Sequence, residues 1–136
     1  MNYVNTVTGP VAASELGRTL MHEHFLFGFC GFQGDATLGG FKEEEYTRDC
    51  LKAVDDARAY GINTIVDATT NECGRNVRFL KKISDMTGMN IICSTGYYFQ
   101  AESAYAYWNF RRGFANIEEE IYEMMVTELT KGIEGT

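Results

Sequence analysis

Residues 43–61, EEEYTRDCLKAVDDARAYG, set Cys50, Leu51, Val54 and Ala57 on one face at helical spacing, with charged and polar side chains between them. Three glutamates open the stretch and Gly61 follows it. Acidic residues complement the positive end of a helix, and glycine takes the left-handed cap at the other end. The spacing therefore predicts a helix. Directly after it the period changes: INTIVDA is a short apolar run rich in β-branched residues, the composition of a strand covered on both faces of a parallel sheet. The same order returns in RNVRFLKKISDMTG, where Val77, Leu80 and Ile83 share a face and Gly88 ends the pattern, and then in MNIICST. GINTIV at 61 and GMNIIC at 88 are two copies of one helix-to-strand joint. A third helical pattern, ANIEEEIYEMMVTELTKG, closes on Gly132.

The amino terminus follows another rhythm. YVNTVTGPVAAS alternates apolar and polar residues around Gly9 and Pro10, which predicts an antiparallel hairpin over residues 1–13. GRTLMHEH then reads as the first parallel strand, so that residues 18–131 form about three βα units of one α/β segment. The run GYYFQAESAYAYWNF, after the third strand, reads as a loop dense with aromatic rings. Such a loop either walls a pocket or packs on neighbouring structure.

Composition narrows this picture only a little. With 136 residues, 45% of them apolar and 23% charged, one globular domain is expected. A net charge of −7 argues against nucleic-acid or anionic membrane partners, which require clustered lysine and arginine. No apolar run reaches the ~18 residues of a spanning helix, and the start has neither a basic nor a continuous apolar region of a signal peptide, so a cytoplasmic address is expected. Cys30, Cys50, Cys73 and Cys93 form no C-x-x-C pair and read as small buried hydrophobes. Phosphate-loop, dinucleotide and nucleophile-elbow motifs are absent from the sequence.

The candidate chemistry lies in LMHEHF, which holds His22 and His24, the only histidines of the chain. Side chains at i and i+2 of a strand point to the same side, so both imidazoles can face one metal while Glu23 faces away. The carboxyl end of a parallel strand is where ligands gather in such folds. Two imidazoles do not complete a site, and histidines of a surface or core remain the other reading. Asp67 ends the second parallel strand and either lines the same mouth or caps a loop. Glu72, in the loop that follows, has a weaker claim.

Taken in order, VNTVTGPVAASELGRTLMHEH, DDARAYGINTIVDATTNECGRNVRFLKKIS, MNIICSTGYYF and LTKGIEGT resemble successive landmarks of the phosphotriesterase family of the amidohydrolase superfamily. The resemblance implies the N-terminal portion of a (β/α)8 TIM barrel with a divalent metal centre, two zinc ions per complete barrel. A metal-activated hydroxide there attacks a phosphoester, lactone or related small-molecule ester. It also implies that His22 and His24 bind the more buried metal and that Tyr98 stands against the substrate. In the family a carboxylated lysine of the fourth strand, two histidines of the fifth and sixth, and an aspartate of the eighth supply the remaining ligands. No histidine follows His24 here, and a barrel of this type takes about 250 residues. The expectation is an incomplete barrel, inactive alone and with no catalytic residue of its own, that is part of a metal-dependent hydrolase. The alternative is a non-catalytic half-barrel module, a homodimer or one completed by a complementing chain.

Overall fold

The computed structural model describes residues 2–98 and 102–136. Strands β1 (Tyr3–Thr6) and β2 (Gly9–Ala12) pair antiparallel as the hairpin. Strands β3 (Arg18–Glu23), β4 (Ile62–Asp67) and β5 (Asn90–Cys93) form a parallel sheet in the order β3-β4-β5. Helix α1 (Glu43–Ala59) joins β3 to β4 and α2 (Val77–Thr87) joins β4 to β5. Helices α3 (Glu102–Arg112) and α4 (Ile117–Lys131) follow β5. This is the amino-terminal portion of a (β/α)8 barrel with an open sheet.

The periodicity becomes packing directly. Cys50 and Val54 of α1 and Val77, Leu80 and Ile83 of α2 are buried against Ile62 and Ile65 of β4 and Ile91 of β5. The hairpin is docked through Val7, whose amide donates to Ile91 O of β5 at 2.9 Å and whose side chain enters the same core. Each repeated joint turns on a glycine in the left-handed region, Gly61 at φ 73° and Gly88 at φ 69°. Only glycine enters that region without a Cβ penalty, which is why each helix stops there and the next strand starts.

Two expectations need correction. The aromatic run after β5 is not a loop throughout, because α3 begins at Glu102. No glycine or proline interrupts ESAYAYWNFRR, and its alanine, glutamate and arginines favour helix over the loop suggested by its rings. Phe99, Gln100 and Ala101 of that run lie outside the described residues. The cysteines are not uniformly buried either: Cys50 and Cys73 are, Cys93 is half-buried, and Cys30 is exposed in the β3–α1 loop.

Among the described residues β4 has a partner on both sides, whereas β3 and β5 are each paired within the sheet on one side only. Met21 on β3 is 72% exposed. A cleft of about 660 Å³ runs past this edge, lined by Leu20, His24, Phe25 and Ile65 beside residues of α1.

Candidate functional site

His22 and His24 stand at the carboxyl end of β3, with ring centroids 5.2 Å apart and planes crossed at 73°. The second imidazole is held in a defined state by its neighbours. Its Nδ1 lies 2.9 Å from Thr69 Oγ1, and that hydroxyl donates its one hydrogen to Leu26 O at 3.1 Å. Thr69 Oγ1 therefore accepts from His24, which places the proton on Nδ1 and leaves the Nε2 lone pair open. A histidine so held by its far nitrogen is arranged as metal ligands are. Among the described residues no group of three or more His, Cys, Asp and Glu side chains is placed to hold a metal ion. The residues fit one edge of a metal centre and lack the rest of its donor set.

The neighbouring loops are pinned by carboxylates. Asp67 is buried, and its two oxygens accept the amides of Phe25 and Thr69, each at 2.9 Å. It caps the turns that carry His24 and Thr69, which settles its two sequence readings in favour of the cap. Glu72 is also buried; its Oε1 accepts the amide of Tyr98. Tyr98 is 39% exposed, and its ring meets that of Phe27 edge to face at 6.1 Å. Phe27 meets His24 the same way at 5.1 Å. Tyr98, Phe27, His24 and His22 are thus one continuous line of edge-to-face rings, a favoured aromatic geometry.

Sequence reasoning singled out His22, His24 and Tyr98, and the structure brings them together. It missed Phe27 and Thr69, the residues that connect them. Phe27 stands three positions beyond His24 in HEHFLF, and Thr69 two beyond the strand-ending Asp67; those offsets are the only signals of either.

A second, partly buried network lies behind the loops. Arg75 spans Glu128 of α4 with two hydrogen bonds, at 2.9 and 2.5 Å, and also donates to Ser94 O. Thr95 Oγ1 donates to Glu128 as well, at 2.5 Å. Burial pushes the Glu128 carboxyl up, but the hydrogen bonds from Arg75 and Thr95 and the arginine charge outweigh it and hold it below the usual carboxylate range. The network ties α4 to the segments following β4 and β5.

Comparison with known proteins gives a consistent set of likenesses. The sequence profile described as Phosphotriesterase family matches residues 2–136. The phosphotriesterase-related protein of Nematostella vectensis is 36% identical over 160 residues, covering 96% of this chain and 44% of that protein. An aryldialkylphosphatase of Saccharolobus solfataricus is 30% identical, covering 93% of this chain and 38% of its own length. An N-acetyltaurine hydrolase of Xenopus tropicalis is also 30% identical, covering 98% of this chain and 44% of that protein. Among solved structures, the organophosphorus hydrolase of Deinococcus radiodurans superposes with a TM-score of 0.91 at 49% identity, covering 98% of this chain and 40% of that one. The chain thus spans about two fifths of the length of the relatives it matches.

Proposed function

We propose, from the premise that this chain belongs to the phosphotriesterase family, that it is a half-barrel without activity of its own. In that reading it contributes one side of the metal centre and part of the substrate wall of a hydrolase for small-molecule esters. The remaining strands, on a longer chain or on a second one, complete the site. The observation that carries this reading is the His24 imidazole, fixed as the Nδ1–H tautomer by Thr69 with its Nε2 open beside His22 and no third ligand among the described residues.

His22 and His24 would hold the metal, most simply zinc, a borderline ion suited to imidazole. When bound within a complete donor set, such a metal lowers the pKa of its water to about 7 and polarises the ester. This chain's own part is positional. Thr69 orients His24, Asp67 fixes the two turns that carry them, and Glu72 holds the main chain of Tyr98, which shapes the pocket together with Phe27. A lactone or phosphotriester is favoured over an N-acyl amide, because Deinococcus radiodurans chains described as an organophosphorus hydrolase and, in a mutant form, as a PTE-like lactonase are 49% identical whereas the Xenopus N-acetyltaurine hydrolase is 30% identical.

Native mass spectrometry in zinc buffer, run beside lactone and phosphotriester assays, tests the reading. The expected result is a chain that retains no metal pair and turns over neither substrate. Two retained zinc ions and turnover by a single 136-residue chain would overturn it.

A further inference from the structure

Cys30, on the β3–α1 loop, is exposed; Cys73, in the β4–α2 loop, is buried. The two loops run against one another at hydrogen-bond distance. Gly28 donates its amide to Cys73 O at 3.0 Å, and the Cys30 thiol donates to Glu72 O, the carbonyl of the peptide leading into Cys73, at 3.4 Å. A Cβ placed on Gly74 would stand 3.4 Å from Gly28 O. The Cys30 sulfur thus reaches the carbonyl one peptide bond before Cys73, and closing a disulfide requires that the two Cα atoms come to roughly 4.4–6.8 Å of one another.

We propose that Cys30 and Cys73 are a reversible disulfide-forming pair, oxidised by hydroperoxides, that covalently joins the β3–α1 and β4–α2 loops. This assignment is independent of the hydrolase reading. The exposed Cys30 meets the oxidant first. Its sulfur attacks the terminal peroxide oxygen; the O–O bond breaks, an S–O bond forms, and the thiol proton leaves with the departing alkoxide as an alcohol, or as water when the oxidant is hydrogen peroxide. The Cys73 sulfur then attacks the sulfenic sulfur of Cys30. An S–S bond forms, the S–O bond breaks, and hydroxide leaves with the Cys73 proton as water. The two thiols lose two electrons and the peroxide gains them.

The order of steps follows from the surroundings. Burial above all pushes the Cys73 thiol up, against a hydrogen bond with Thr70 and with the charges of Glu72 and Cys30 adding to it, so it is a poor first attacker on an oxidant in solvent. Cys50 is buried and Cys93 half-buried, and desolvation above all pushes their thiols up to about 11 and about 12. The bond would close directly beside Glu72, whose carboxylate holds Tyr98, and so would fix three loops at the carboxyl ends of the strands.

The test treats the reduced chain with hydrogen peroxide, unfolds it in denaturant, alkylates the remaining thiols and maps the peptides by mass. Two of the four thiols are expected to become unreactive, with Cys30 and Cys73 recovered in one linked peptide that a thiol reductant separates. Cys30→Ser, a change at an exposed position, is expected to keep every remaining thiol alkylatable under the same treatment. Recovery of Cys30 alkylated, overoxidised or linked to Cys50, Cys93 or a second chain overturns the proposal, as does thiol loss in the Cys30→Ser protein.

Discussion

Asp67 shows what a single buried side chain does in this molecule. Its oxygens are the partners of the Phe25 and Thr69 amides. Asp67→Ala is expected to lower stability by roughly 3 kcal/mol, the cost of orphaned buried donors and lost charge-assisted bonds, read as a shift of the urea midpoint. Thr69→Val keeps the shape of the residue and removes the hydroxyl that accepts from His24. In a completed barrel it is expected to weaken zinc binding about tenfold or more, measured by competition with a chromogenic chelator; unchanged affinity would mean that Thr69 does not position His24 as a ligand. His22 and His24 stood out because they are the only histidines. Thr69, one of several threonines in sequence, owes its significance to a hydrogen bond across 45 residues that no local pattern encodes.

At the scale of elements, the joints and the clamp carry the predictions. Gly88→Ala places a Cβ only 3.6 Å from the Arg58 guanidinium, an ordinary contact, so its cost is that of the left-handed backbone. A loss of about 1–2 kcal/mol is expected, again by urea unfolding. Ile83→Ala, in the centre of the α2 face and fully buried, is expected to cost about 2–5 kcal/mol. The Arg75–Glu128 clamp gives a pH dependence with a definite sign. Because the folded-state pKa of Glu128 is depressed, its stabilisation is present above the unfolded value, about 4.3, and is lost as pH falls through the lower folded value. Glu128→Gln should therefore cost roughly 3 kcal/mol at neutral pH, as one half of a buried pair is left alone, and should flatten the acid limb of the stability profile. α1, α2 and their strands were legible because each has one period and a glycine stop. α3 was not, because its aromatic residues signal a pocket wall as strongly as a helix.

For the whole molecule, the decisive feature is that among the described residues β3 and β5 each have one neighbour in the parallel sheet. Such edges offer unpaired backbone groups, although Val7 of the hairpin takes up Ile91 O on β5, and near them Met21 and the cleft beside Leu20 and Phe25 offer apolar surface. The chain alone is expected to self-associate as its concentration rises, seen as an increasing mass in light scattering after size exclusion. A fixed monomer mass across concentration would show that the open sheet tolerates its edges.

The sequence by itself determined the hairpin, the order of the parallel strands with α1, α2 and α4, the family and the position of the imidazole pair, because period, glycine stops and an H-x-H at a strand end are local signals. It did not determine which side chains hold that pair, that Asp67 caps rather than lines the mouth, or that Cys30 lies against the peptide leading into Cys73. Those depend on loops separated by about forty residues meeting at one end of a parallel sheet. Hydrogen bonds between such loops leave no periodicity in the chain, and only the tertiary fold places them.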